Sequence, residues 1–208
     1  MWQTYQSTRN GQGHTVSGNL QVLQELESPE LGNRRDLLVY LPPSYESSER
    51  RYPVIYLHDG QNLFDAVTSF AGEWQVDETM EALGREGIEA IMVGIPNAGE
   101  ERLDEYSPFR ATDLGGGRGD AYLAFIVDQV KSLVDAEFRT LPGPASTGIM
   151  GSSAGGLISL YGFFKRPETF GFAGVMSPSL WFAKGAIYDY VRKAPPNNGR
   201  IYLDAGTR

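Results

Sequence analysis

The chain has 208 residues, 41% apolar and 12% aromatic, enough for one well-buried α/β core and too few for two comfortable domains, so one domain over 1–208 is expected. Its 18 basic and 26 acidic residues give a net charge of −8, and no run of Lys or Arg offsets it, which argues against nucleic acid and anionic lipid as partners. The absence of cysteine excludes disulfides, thiolate metal sites and a cysteine nucleophile. Met1 to His14 is polar, without the basic start and apolar run of a signal peptide, and no apolar segment reaches membrane-spanning length, so a cytoplasmic location is expected.

In chain order, Val16 to Glu27 alternates loosely through Leu20, Val22, Leu23 and Leu26, and Asp36 to Leu41 is a compact apolar run halted by Pro42-Pro43. Both read as antiparallel strands leading into a sheet. Pro53 to Leu57 and Ala90 to Ile95 are apolar throughout, as parallel strands buried on both faces are; they end in His58-Asp59-Gly60-Gln61 and Pro96-Asn97. Between them Trp74 to Arg85 carries Val76, Met80 and Leu83 on one helical face, which predicts a strand, helix, strand unit. Gly115 to Gly119 reads as a mobile loop near the strand ends. From Asp120, read as an N-cap, Tyr122, Phe125, Ile126, Val130, Leu133, Val134 and Phe138 recur at helical spacing over about five turns. Leu157 to Phe164 predicts a helix closed by Pro167, Phe172 to Met176 and Arg200 to Leu203 two further strands, and Ala186 to Arg192 a helix between them.

The segment Ile149 to Gly156 reads as a short strand turning sharply into a helix, with Gly-x-Ser-x-Gly at the turn and Ser153 at its apex. A strained turn of this kind lifts a serine hydroxyl above a sheet and leaves no room for side chains beside it. With 25 glycines the pattern would arise in roughly one shuffled chain in five, so its context has to carry the argument. Attack on a carbonyl needs two backbone N–H groups aimed at the oxyanion; Ala154, after the nucleophile, supplies one, and the other is expected from the loop after the first parallel strand.

Several segments in this order resemble the putative-esterase family of α/β-hydrolases, which takes in esterase D, enterochelin esterases, feruloyl and acetylxylan esterases and mycolyltransferases. They are Val39 to Pro43, Tyr56 to Asp65, Ile95 to Asn97 with Arg102 and Glu105-Tyr106, Gly151 to Gly156, Ser177 to Trp181, and Leu203 to Thr207. The resemblance implies an α/β-hydrolase fold, a mostly parallel central sheet with helices on both faces. It also implies a serine esterase that needs no cofactor, acting on a small-molecule ester by acylation of Ser153. By the same resemblance the second oxyanion donor is the amide of Gln61, with Gly60 allowing close approach.

The family's base histidine and orienting acid follow the nucleophile, whereas the two histidines here, His14 and His58, both precede it. The expectation is that the last strand and helix, with the base, lie beyond Arg208, or that the chain is a shortened inactive relative, or that a partner chain completes the site; the first is favoured. A homodimer could then hide the sheet edge this leaves. Asp204 is the candidate acid, against the reading that it merely ends a strand. His58 is at the strand end but on the wrong side for a base, and is read as bracing the loop; His14 is read as solvated. Asn97, Arg102 and Glu105 are candidates for substrate polar groups or ordinary salt pairs. Trp181 is a substrate wall or a core residue, and Trp74 flanks the pocket or packs. A metal at Asp59 and Asp65 is disfavoured for want of ligand spacing. The rivals to an esterase are an inactive binding protein and an acyltransferase of the same fold.

Overall fold

The computed structural model describes residues 1–5, 13–70 and 72–206. Eight strands form one sheet: β1 (Gln3–Thr4), β2 (Asn19–Ser28), β3 (Asn33–Leu41), β4 (Val54–His58), β5 (Ile91–Ile95), β8 (Thr147–Ser152), β9 (Phe172–Met176) and β10 (Arg200–Leu203). Two more, β6 (Arg110–Ala111) and β7 (Gly115–Gly116), make a separate ribbon. The spatial order is β1-β2-β3-β5-β4-β8-β9-β10, antiparallel as far as β5 and parallel from there on. The chain leaves β4 for β5 on one side and returns past it to β8 on the other. The carboxyl end of β4 is therefore a topological switch point, where crevices open in such sheets.

The helices are α1 (Val76–Gly84), α2 (Arg102–Glu105), α3 (Gly119–Ala124), α4 (Ser132–Glu137), α5 (Ala154–Lys165) and α6 (Phe182–Lys193), with a π-helical stretch, Phe125–Lys131, joining α3 to α4. Alternation along the strands divides the core between two faces. Leu38, Tyr40, Leu57 and Met92 pack with Met80 of α1, while Val39, Tyr56, Val93 and Ile149 pack with α3 to α6. Helices thus cover both faces, as the α/β-hydrolase fold requires. Among the described residues no helix is long and apolar enough to cross a membrane.

Several elements depart from the pattern in the sequence. Strand β2 starts three residues later than Val16, and its register against β3 shifts between Leu23 and Leu26 at a bulge where Glu25 is left-handed (φ 55). Helix α1 starts at Val76 rather than Trp74, because the Trp74 N–H is donated to Asn62 O and Gln75 is left-handed. Arg118, not Asp120, occupies the N-cap of α3; Asp120 instead accepts the Tyr161 hydroxyl. The glycine-rich loop read as mobile is pinned, since Gly115 and Gly116 pair with Ala111 and Arg110 and the Gly116 N–H donates to Asp104 at 2.6 Å. The right-handed winding of α6 begins at Ala186, as expected, and a left-handed kink at Ala183 to Gly185 leads into it from Phe182. Thr207 lies outside the described residues.

At the N-terminus of α1 the carboxylates of Glu73, Asp77 and Glu78 bring oxygens within 4.8 Å of one another. Burial pushes the Asp77 carboxyl up, the Ser17 N–H pulls it down, and adjacent Glu78 pushes it up again, to about 7. A carboxyl whose pKa is raised by folding stabilises the fold fully below its unfolded pKa and loses that contribution as pH rises through its folded one. Asp77→Asn is accordingly expected to flatten the decline of Tm between about pH 5 and pH 8 and to raise Tm at pH 8, as followed by circular dichroism; an unchanged slope would contradict this.

Candidate active site

Ser153 sits at the junction of β8 and α5 with φ 57 and ψ −120, a conformation that costs a non-glycine residue about 1 to 3 kcal/mol. The surroundings hold it there. Its N–H donates to Met176 O at 3.0 Å, and its carbonyl accepts the N–H groups of Leu157 and Ser179 at 3.1 and 2.9 Å. A Cβ on Gly151 would lie 2.8 Å from the His58 ring, so a side chain there would displace the histidine under the turn. The result is an exposed serine on a buried base, since Ala154 and the next nine residues of α5 are all buried. Its Oγ is 3.1 Å from Ser179 Oγ, a neighbour that no spacing rule in the sequence pointed to.

Across the crevice, β4 is followed by Asp59, left-handed at φ 56, and the 3-10 turn Gly60–Asn62. Gly60 has no room for a side chain, as a Cβ would come within 2.6 Å of the Gly94 and Ile95 backbone. The Asp59 carboxylate is gripped by Arg102 through Nε at 2.7 Å and a second nitrogen at 2.8 Å, and by Asn97 Nδ2 at 2.6 Å. Burial pushes this carboxyl up, but the Arg102 guanidinium and the Asn97 amide outweigh it and hold the pKa below the ordinary range. The Asp59 N–H donates to Tyr106 Oη, and Gln61 Oε1 accepts the Asn97 N–H at 3.1 Å. Asn97 and Arg102 thus brace the turn that carries Gln61, and both also line the crevice. That crevice, about 870 Å³, is bounded further by Gln61, Thr68, Phe70, Trp74 and Ser152.

Other candidates fall elsewhere. Glu105 is fully buried in a two-pronged pair with Arg35 at 2.7 and 2.9 Å, away from any substrate. Trp181 is no core residue, being 67% exposed. His58 is 1% exposed and absent from the crevice wall; its Nδ1 meets Tyr122 Oη at 2.9 Å, and burial lowers its pKa to about 3 against the pull of Asp59. A ring so enclosed stays neutral and braces the turn at Ser153 from below. His14, expected in solvent, is 6% exposed and contacts Asp65 Oδ2 at 2.5 Å. Asp204 Oδ1 accepts the N–H and the hydroxyl of Ser177 at 2.7 and 3.1 Å, which ties the strained turn after β9 (Ser177 φ 38) to the end of β10. Asp59 and Asp65 do not converge on a common ligand point among the described residues, Asp59 being held by Arg102 and Asn97 and Asp65 by Tyr5 and His14. Glu73, Asp77 and Glu78 are the acidic groups that do converge among the described residues, and they stand at a helix N-terminus that favours carboxylates without a metal.

The family model described as "Putative esterase" matches residues 28–208. YbbA of Bacillus subtilis (strain 168) is 33% identical over 189 residues, 88% of this chain and 71% of YbbA. A siderophore triacetylfusarinine C esterase of Aspergillus fumigatus is 31% identical over 136 residues, 62% of this chain and 45% of that enzyme. Among solved structures, the BES protein from Bacillus cereus superposes with a TM-score of 0.68 at 22% identity, over 85% of this chain and 67% of that one. With the fold and the family match in agreement, this chain belongs to the "Putative esterase" family of α/β-hydrolases.

Proposed function

We propose that this chain carries the nucleophile and oxyanion hole of a serine carboxylic-ester hydrolase. The observation that carries the reading is Ser153 itself, exposed at a strained turn between a central parallel strand and the N-terminus of a buried helix, beside the crevice at the switch point. Ser153 Oγ attacks the ester carbonyl carbon as its proton passes to a base. The oxyanion is taken up by the N–H groups of Ala154 and Gln61, the alcohol departs with a proton, and water then releases the acid from the acyl-serine. His58 is closed off below the turn at Ser153 and His14 is committed to Asp65, so the base in this proposal comes from outside these 208 residues. Asp204, spent on Ser177, serves here to hold the turn that carries Ser179. The crevice volume falls in the range of small-molecule sites, and the activity named for the Aspergillus relative makes siderophore esters the first class to try.

Protein expressed from its complete reading frame should hydrolyse p-nitrophenyl acetate, with a loss of about a thousandfold or more in kcat for Ser153→Ala. A fluorophosphonate probe should add its mass to the wild type and not to that variant. Undiminished hydrolysis, or labelling elsewhere, would overturn the assignment; an inert protein that still binds siderophore esters would favour the binding reading, and ester exchange onto added alcohol the acyltransferase.

Arg102→Gln should lower kcat by about 10-fold to 100-fold with KM changed by less than about threefold, because the Gln61 amide loosens rather than the substrate contacts. Arg102→Lys, which keeps the charge on Asp59, should recover part of the loss. A change confined to KM would instead make Arg102 a substrate ligand.

A further inference from the structure

Strands β8 and β9 run side by side and end level, Ser152 lying opposite Met176. Each then breaks into a strained turn, one at Ser153 and the other at Ser177, where φ is 38. The second turn brings Ser179 back against the first, and its hydroxyl oxygen stands 3.1 Å from Ser153 Oγ. We propose that Ser179 is the positioning residue of the nucleophile: its O–H donates to Ser153 Oγ and leaves the Ser153 proton facing the crevice, where the base takes it. The proposal rests on the reading of Ser153 as nucleophile and adds to it a residue that aims the attacking oxygen.

The fold does not need this hydroxyl. The backbone of Ser179 is already engaged, its N–H donating to Ser153 O at 2.9 Å and its carbonyl accepting the Phe182 N–H at 3.1 Å. The turn around it is fastened by other groups. Asp204 Oδ1 takes the N–H and the hydroxyl of Ser177. Pro178 presses on the first turn of α5, where a Cβ on Gly156 would lie 3.1 Å from the Pro178 Cβ and 3.0 Å from Met176 O. An alanine at 179 would keep every one of these contacts. Backbone strain such as that at Ser177 persists only where the surroundings enforce it, and it gathers at active sites. Here its product is a hydroxyl set on the nucleophile.

The direction of the bond follows from burial. Ser179 is 7% exposed, and among the described residues Ser153 Oγ is the one group its hydroxyl meets. A hydroxyl proton shut away from water is costly unless it is donated, and Ser153 Oγ is the acceptor within reach. Ser153 is exposed, so its own proton has water or a base to go to. The two hydroxyls therefore line up head to tail, Ser179 to Ser153 to base. During attack the Ser153 O–H bond breaks towards the base while the bond from Oγ to the acyl carbon forms. The Ser179 O–H fixes the oxygen's orientation and supports the negative charge that builds on it, and Ser179 itself neither gains nor loses a proton.

The test compares variants of the protein expressed from its complete reading frame, with two readouts of attack by Ser153. These are kcat/KM for p-nitrophenyl acetate and the second-order rate of fluorophosphonate labelling, with the labelled peptide identified by mass. Ser179→Ala should lower both by the same factor, about 10-fold to 30-fold, with Tm within about 3 °C of the wild type. Threonine and valine share one shape and differ by the hydroxyl, so Ser179→Thr should be at least about fivefold faster than Ser179→Val in both readouts. A hydroxyl that served only the fold would separate Thr from Val in Tm and leave their labelling rates alike. Labelling of Ser153 at the full rate in Ser179→Ala, or Thr and Val slowed equally, would sink the proposal. Failure of the underlying reading looks different: the probe would then mark another residue of the wild type, or none, and both readings fall together.

Discussion

The ion pair between Asp59 and Arg102 is the interaction on which the crevice depends. A strand buried on both faces has to end in a turn that offers a backbone N–H to the crevice, and a left-handed residue makes that turn possible. Asp59 supplies the conformation, but its carboxylate is then drawn into low dielectric, where an unpaired charge would cost several kcal/mol. Arg102 and Asn97 neutralise and saturate it from the loop after the neighbouring strand. The same loop is fastened one layer further in, where Glu105 takes the Arg35 guanidinium and Arg35 also reaches Pro96 O. Arg102 itself lies over the Tyr106 ring at 4.9 Å. Two strands, a short helix and the turn bearing Gln61 thereby become one rigid unit, and rigidity is what the oxyanion donor proposed at Gln61 needs.

Much of this was legible in the sequence wherever a local pattern carried it. Unbroken apolar runs announced β4, β5 and β9, and Gly-x-Ser-x-Gly announced the turn at Ser153, because burial on two faces and steric crowding both act on neighbouring residues. The bracing of the turn left no such trace. Asp59 meets Arg102 across 43 positions, Arg35 meets Glu105 across 70 and His14 meets Asp65 across 51, and no periodicity registers pairs so distant. The run Gly115 to Gly119 misled in the opposite sense. Glycine marks positive φ as readily as it marks freedom, and Gly115 to Gly117 have φ of 79 to 99 in a ribbon pinned by Asp104. Trp181 was left between wall and core because composition cannot tell which of two adjacent aromatics faces inward.

Beneath the turn at Ser153 runs the helical rod 119–137, whose middle seven residues are wound as a π-helix. Wider winding lags behind an α-helix in angle, so residues four apart, Tyr122, Ile126, Val130 and Val134, stay on one side of the rod instead of drifting round it. All four are buried in the same core cluster, and Tyr122 also reaches the His58 ring. The wider turn thus lets one rod hold His58 at its start and fill the core below the sheet along its whole length.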